Sequence, residues 1–346
     1  MQRKINLIKN IFVSNFKRLS SPYKVTFAVT YKCNLKCKIC GIWENKETKQ
    51  ELSLDAIEKI FRKLKNLSWL DLTGGEITLK ENILEIVKAI LKNSKKILIF
   101  HISSNGQFPD RALLLAKELL KSGLVPIINI SLDGPEKIND LLRGKPGAYQ
   151  HSLETFLKIR SLKKIHCYLS CTISNLNINY IDELLSDLKK NIVDFNFADL
   201  HFNLFHNSEH YYHNQNLNAF YNLPLERIKK YLSLCKRGNP AKIFLEKEYI
   251  RGFTKFYRDN KVPLRCQALS STCFINPYGT LYPCSIYNKP IANLEDCNYD
   301  LNKLWNSKNV VLIRRGIKEG NCPHCWSPCE AYPAILGNIL RRYGQA

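Results

Sequence analysis

Short runs rich in β-branched and aromatic residues alternate with stretches of helical period from residue 24 to about residue 202. The runs are KVTFAVT (24–30), WLDLTG (69–74), ILIFHISSNG (97–106), VPIINISLDG (125–134), IHCYLSCTIS (165–174) and VDFNFADLHF (193–202). Helical patterns fill the gaps near 54–66, 80–93, 109–122, 149–162 and 178–190, the first opening on Ser53 with Asp55 in its first turn. A strand that runs into a helix does not return as a hairpin; it pairs parallel with the next strand. Right-handed crossovers wind such strands into an open, partial barrel of the α/β class.

Chemistry in a parallel sheet collects at the C-terminal ends of its strands. Here the cysteines Cys33, Cys37 and Cys40 follow strand one, TGGE (73–76) ends strand two, SSNG (103–106) ends strand three and SLDG (131–134) ends strand four. A glycine after one strand is only a turn. Polar, glycine-bearing ends on successive strands, beside a thiol cluster, converge on one rim.

The remaining chain divides by composition. Residues 1–21 form a basic amphipathic helix in which Ile5, Ile8, Phe12, Phe16 and Leu19 recur at helical spacing among Lys4, Lys9, Lys17 and Arg18. Packing on the domain is the expected role; the alternative is peripheral contact with an anionic membrane. Residues 22–202 are the barrel, and 203–262 a helical connector with a polar, substrate-side stretch at 203–224 and helical patterns at 225–237 and 240–252. Residues 263–331 are cysteine-rich, and 332–346 a basic tail. His206, His210 and His213 in the polar stretch are read as surface residues, not ligands.

A net charge of +22 would suit nucleic acid, anionic lipid or an acidic substrate, but the lysines are spread along the chain, so nucleic acid is not expected. No run of about 18 apolar residues is present to cross a membrane, and the N-terminus lacks the apolar core of a signal peptide. Thirteen cysteines without such a signal indicate a reducing, cytoplasmic compartment and metal in place of disulfides.

Cys33-x3-Cys37-x2-Cys40 offers three thiolates. Thiolates suit iron–sulfur clusters, and a cubane held at three corners leaves its fourth iron open for an exogenous chelate. Zinc with a distant fourth ligand is the alternative. The triplet resembles the CxxxCxxC signature of the radical S-adenosylmethionine (SAM) superfamily. TGGE resembles that family's GGE motif, with Ile77 where a proline is frequent, and SSNG and SLDG resemble its next two strand ends. The resemblance covers roughly residues 22–200 and implies a (β/α)6 partial TIM barrel with a small cysteine-rich C-terminal extension. It implies a [4Fe-4S] cluster on Cys33, Cys37 and Cys40, the methionine moiety of SAM at the open iron, Gly74 and Gly75 leaving room for it, and Glu76 on its ammonium. Ser104, Asn105, Ser131, Asp133 and Arg143 are the further SAM-contact candidates.

Cys266-x12-Gly279-x4-Cys284 followed by Cys322-x2-Cys325 is similar to the SPASM/twitch extension of these enzymes, with 301–316 resembling the helical link between its halves. One auxiliary [4Fe-4S] cluster on Cys266, Cys284, Cys322 and Cys325 is expected, with Cys329 an alternate ligand and a zinc knuckle the rival. Cys273 is expected to be packed on a strand, Cys297 is left unassigned, and Cys167, Cys171 and Cys235 read as core thiols. The resemblance implies reductive cleavage of SAM to a 5′-deoxyadenosyl radical, hydrogen abstraction from a substrate C–H bond, and a flavodoxin or ferredoxin as reductant. The substrate is a peptide or protein, or a small or lipid-linked precursor. Strand one begins only about two dozen residues in, leaving no evident leader-peptide domain ahead of it, which weighs against a peptide. The rival class is a zinc-binding, nucleic-acid-associated protein.

Overall fold

The computed structural model describes residues 1–218, 223–236 and 239–343. Parts of the expected polar stretch (219–222), of the helical pattern ending at 237, and of the tail (344–346) lie outside the described residues.

The chain begins with helix α1 (Gln2–Phe16) and then alternates strand and helix: β1 (Lys24–Ala28), α2 (Leu54–Lys63), β2 (Trp69–Thr73), α3 (Ile83–Asn93), β3 (Ile99–Ser104), α4 (Pro109–Leu120) and β4 (Val125–Ser131). Two helices, α5 (Glu136–Arg143) and α6 (Ala148–Arg160), lead to β5 (His166–Ile173), and α7 (Ile181–Asn191) leads to β6 (Leu200–Leu204). All neighbouring pairs from β1 to β6 are parallel. Ser53 caps α2 by accepting the Ala56 N–H at 3.2 Å, a bond of a kind that contributes about 1 kcal/mol.

The sixth strand starts later than the run 193–202 suggests. Asn196 and Asp199 form a reciprocal capping box around a short 3-10 turn, which takes up the first residues of that run.

Side chains alternate across each strand. Phe100 and Ile102 of β3, and Cys167, Leu169 and Cys171 of β5, join the core under the helices. Ile99, His101 and Ser103, and likewise His166, Tyr168 and Ser170, line the lumen on the other face.

After β6 come α8 (Leu225–Leu234) and α9 (Pro240–Asp259), then β7 (Thr272–Ile275), β8 (Thr280–Tyr282) and β9 (Ala292–Asn293). Helices α10 (Leu301–Trp305), α11 (Lys308–Lys318), α12 (Pro328–Leu336) and α13 (Ile339–Tyr343) close the chain. The sheet order is β6-β5-β4-β3-β2-β1-β7-β8-β9. The cysteine-rich region therefore continues the barrel sheet: β7 pairs parallel with β1, Val25 opposite Cys273, and β8 and β9 add antiparallel. Cys273 is buried on β7.

Helix α1 forms, but not in the orientation its apolar pattern suggests. Leu7 and Ile11 turn inward and line the lower end of the lumen beside Trp69, Ile99 and Val125. Arg3 donates to the carbonyls of Lys95 and Ser122, and Asn10 to that of Asn66, so the helix lies across the connections that enter β2, β3 and β4. Ile5, Ile8, Phe12 and Phe16 face outward, 48–66% exposed; of the five quoted apolar positions only Leu19 is buried.

Candidate functional site

The loop beyond β1 carries the three thiols and is tied down on several sides. Lys38 N–H donates to the Leu142 carbonyl, and Gly41 N–H to that of Tyr212 at 2.7 Å. Asn214 Nδ2 donates to the Ile39 carbonyl at 3.0 Å. The stretch after β6 thus folds onto the cysteine loop, and a Cβ on Gly41 would lie 2.4 Å from the His213 carbonyl oxygen.

Each thiol meets a different polar neighbour. Asn105 Nδ2 stands 3.9 Å from Cys33 Sγ and is itself bonded to Asn34 Oδ1. Arg143 Nη1 stands 3.9 Å from Cys37 Sγ, and Cys40 Sγ points at the Tyr212 carbonyl at 3.7 Å. Burial pushes the Cys33 thiol up to about 11 and the Cys40 thiol up to about 12, and raises Cys37 as well against the opposing pull of Arg143. Bound iron supplies the positive charge that would hold three such groups as thiolates. Among the described residues no three His, Cys, Asp or Glu side chains converge as ligands of a single metal ion. A cubane is gripped at separate corners, and three thiols lining one cavity, each with its own neighbour, fit that requirement.

Gly74 and Gly75 also line the cavity, but contacts on the protein side account for their lack of side chains. A Cβ on Gly74, whose φ is +149°, would lie 2.2 Å from the Thr30 carbonyl oxygen, and one on Gly75 would lie 2.3 Å from that of Lys32. Gly75 N–H and Glu76 N–H donate to those same carbonyls, both at 2.8 Å. The glycines let the end of β2 lie directly against the cysteine loop.

Glu76 is fully buried, and its carboxylate faces protein donors. Oε1 accepts from Thr78 N–H, Thr78 Oγ1 and Ser104 Oγ, and Oε2 from Asn105 N–H at 2.6 Å. Burial raises its pKa despite these donors. Asp133 is likewise buried behind the cavity, pairing with Arg143 at 2.7 Å and accepting the Thr172 N–H at 2.8 Å. Ser104, Asn105, Ser131 and Arg143 line the cavity itself.

The same cavity, about 590 Å³, runs down the lumen past residues the motif reading did not single out. Lys24 and Asp71 form a buried ion pair at 2.8 Å, with His101 3.3 Å from Asp71. Burial opposes the Asp71 charge, but Lys24 and His101 outweigh it and hold the carboxyl well below the usual range. Also lining this cavity, Glu246 accepts from the Tyr332 hydroxyl at 2.9 Å and lies 3.9 Å from His201. Burial pushes Glu246 up to about 7 and His201 down to about 3. The sequence signal for this wall was present: polar residues such as Asp71, His101, Asn129 and Ser170 recur at every second position within apolar strands.

The second thiol group is separate. Cys266, Cys284, Cys322 and Cys325 line one small cavity under Trp326, with Glu330 at its wall. Cys266 Sγ accepts the Ala268 N–H, and Cys284 Sγ the Tyr287 N–H. Cys329 faces the large cavity instead. Cys297 sits on a 3-10 turn, bonded to the carbonyls of Leu294 and Asp300. The three histidines of the polar stretch are built in: His206 accepts the Trp326 N–H, His210 bonds the Cys284 carbonyl and stacks on Tyr282, and His213 meets the Tyr31 ring edge-on.

Known proteins share these features. The Radical SAM superfamily model matches residues 27–188, and the SPASM iron–sulfur cluster-binding domain model matches residues 266–329. The antilisterial bacteriocin subtilosin biosynthesis protein AlbA of Bacillus subtilis is 23% identical over 337 residues, covering 90% of this chain and 68% of AlbA. The sporulation killing factor maturation protein SkfB of the same organism is 29% identical over 167 residues, covering 47% of this chain and 39% of SkfB. The chain thus spans about two-thirds of AlbA's length and matches well under half of SkfB's. Among solved structures, Streptococcus suis SuiB bound to S-adenosylmethionine superposes with a TM-score of 0.61 at 20% identity, covering 86% of this chain and 68% of SuiB.

A partial barrel with thiols at the rim of its lumen and a second thiol group beside the same sheet has the layout of an enzyme that carries iron–sulfur clusters, and the family matches assign it that chemistry. The chain belongs to the radical SAM superfamily and carries a SPASM domain at its C-terminal end. The zinc-binding, nucleic-acid-associated alternative is set aside by this membership.

Proposed function

We propose that this enzyme cleaves SAM reductively and removes hydrogen from a C–H bond of a peptide held in the barrel lumen. The observation that carries the reading is one continuous cavity joining Cys33, Cys37 and Cys40, the Gly74–Gly75 shelf and Arg143 to a lumen of about 590 Å³. The bound cluster and SAM supply one-electron cleavage to methionine and a 5′-deoxyadenosyl radical.

The protein's share is holding, orienting and excluding water. Cys33, Cys37 and Cys40 grip the cluster. Gly74, Gly75, Ser104, Asn105 and Ser131 shape the SAM pocket. Arg143, fixed by Asp133, places a cation beside Cys37. Glu76 positions Ser104 and Asn105 and does not itself face the cavity, a role that differs from the free carboxylate its motif implies. The stretch after β6 covers the cysteine loop from the side. Residues 22–202 supply the radical core, 203–262 the connector and 263–331 the auxiliary site, whose cluster is held by Cys266, Cys284, Cys322 and Cys325. A flavodoxin or ferredoxin is the reductant.

A peptide is favoured over a small or lipid-linked precursor by the company the chain keeps. AlbA is named for biosynthesis of the bacteriocin subtilosin, SkfB for maturation of a sporulation killing factor, and SuiB was solved bound to the precursor peptide SuiA. No described helix is long and apolar enough to cross a membrane.

The test is anaerobic reconstitution with iron and sulfide, then incubation with dithionite and SAM. The expected result is 5′-deoxyadenosine from wild type and none from Cys37→Ala. A reconstituted wild type that forms none overturns the reading.

A further inference from the structure

We infer that the floor of the barrel, the end opposite the thiols, is a docking face for an anionic lipid surface. Two independent features meet there. The first is charge. The connections entering β2, β3, β4 and β5 carry Lys65, Lys95, Lys96, Lys121, Lys163 and Lys164, all exposed, and contain no acidic residue, although Lys121 pairs with Glu118 of α4 at 2.9 Å and the connection entering β6 carries Asp194 and Asp199. The loops at the opposite rim mix signs, with Glu44, Glu47 and Glu51 among Lys46, Lys49 and Lys80.

The second feature is an apolar stripe in the midst of these lysines. Helix α1 lies on the same connections, held by Arg3 and Asn10. Its inner face closes the lumen, and its outer face shows Ile5 (48% exposed), Ile8 (66%), Phe12 (55%) and Phe16 (57%). Lys4 and Lys9 flank that stripe, Lys17 and Arg18 follow it, and α1 contains no carboxylate. Large apolar side chains left in water beside clustered lysines need an occupant that offers both hydrocarbon and negative charge.

A bilayer surface with anionic headgroups meets both needs. Ile and Phe enter the acyl boundary while the lysine stems lie along it with their ammonium groups at the phosphates. A nucleic acid would use the lysines and leave the stripe in water. A second copy packed face to face would bring the same lysines against one another, so self-association on this face is opposed. The orientation leaves the thiol rim and its mouth directed away from the membrane.

The experiment uses the full chain, and its binding readout needs no turnover, so its outcome is separable from the radical reading. Binding is measured by co-sedimentation with vesicles of phosphatidylcholine alone and of phosphatidylcholine mixed with phosphatidylglycerol. Retention on the mixed vesicles only, weakened by added salt, is expected. Ile8→Glu with Phe12→Glu should lower it by about 10-fold or more. Charge reversal of Lys95, Lys96, Lys163 and Lys164 to Glu should lower it by about 100-fold or more. All six positions are exposed, so both variants should keep the wild-type thermal midpoint, and both should still form 5′-deoxyadenosine. Absence of binding, equal binding to both lipids, a lipid-free dimer dissociated by the Ile8 and Phe12 changes, or RNA binding indifferent to those changes would each overturn the proposal.

Discussion

The buried Glu76 carboxylate accepts the backbone N–H of Asn105 at 2.6 Å, so one anion fastens the end of β2 to the end of β3. Through Ser104 and Thr78 it collects further donors, and Asn105 in turn reaches Cys33 and Asn34. Replacing Glu76 by Gln turns one acceptor into a donor facing donors. Glu76→Gln should therefore cost about 1–3 kcal/mol of stability. It should also reduce SAM binding more than iron content; titration of SAM against the reconstituted variant, with iron counted in parallel, checks this.

The auxiliary ligand set makes a sharp contrast between neighbours. Cys325 lines the small cavity with Cys266, Cys284 and Cys322, whereas Cys329 lines the large one. Cys325→Ser should lose the auxiliary iron and keep the iron held near β1. Cys329→Ser should keep both. Iron and sulfide analysis of the two reconstituted variants, with electron paramagnetic resonance of the reduced forms, decides between them. Loss of auxiliary iron from Cys329→Ser would reassign the fourth ligand.

Lys24 and Asp71 form a pair in which breaking one side is worse than removing both. Asp71→Asn leaves a buried ammonium whose remaining bonds are to the Cys329 carbonyl and to Thr26. A loss of about 3–5 kcal/mol is expected for that variant, and a smaller one for Lys24→Met combined with Asp71→Asn. Denaturant midpoints at neutral pH measure both.

Glu246 gives stability a pH dependence of the less common sign. Burial raises its pKa from an ordinary 4.5 to about 7. Between those values the folded chain holds a proton that the unfolded chain has released, so stability falls as pH rises through this window and levels above about 7. Glu246→Gln keeps an acceptor for the Tyr332 hydroxyl and cannot ionise. Its gain over wild type should be larger at pH values above the window than below it, as read from thermal midpoints.

Much of this arrangement was legible in the chain. The first five strands fall within the runs read for them, because alternation between a helix-covered face and a polar lumen writes itself as period two. The thiol loop and the strand-end glycines were legible because their spacing is unusual. What could not be read was partnership across long sequence distance. Nothing near Thr272 says that it pairs with Lys24, so the cysteine-rich region looked like an appendage. The outward turn of α1 escaped for a related reason: an amphipathic pattern gives a stripe, not which side is covered, and Leu7 and Ile11 form a second, narrower one. Glu76 was identified by motif, but its donors come from residues 78, 104 and 105, and only the fold brings the last two to it.

The parallel pairing of β7 with β1 sets the mechanical character of the molecule. The strand that launches the thiol loop is hydrogen-bonded on one side to the strand that ends just before Gly74 and on the other to a strand of the C-terminal region. The loop after β1 carries one thiol group, and Cys266 and Cys284 of the other flank β7 and β8, so the hydrogen bonds of one sheet oppose relative motion of the two groups. A shortened chain ending before residue 263 would leave β1 as a bare, sticky margin, and such a fragment should precipitate rather than work as a smaller enzyme.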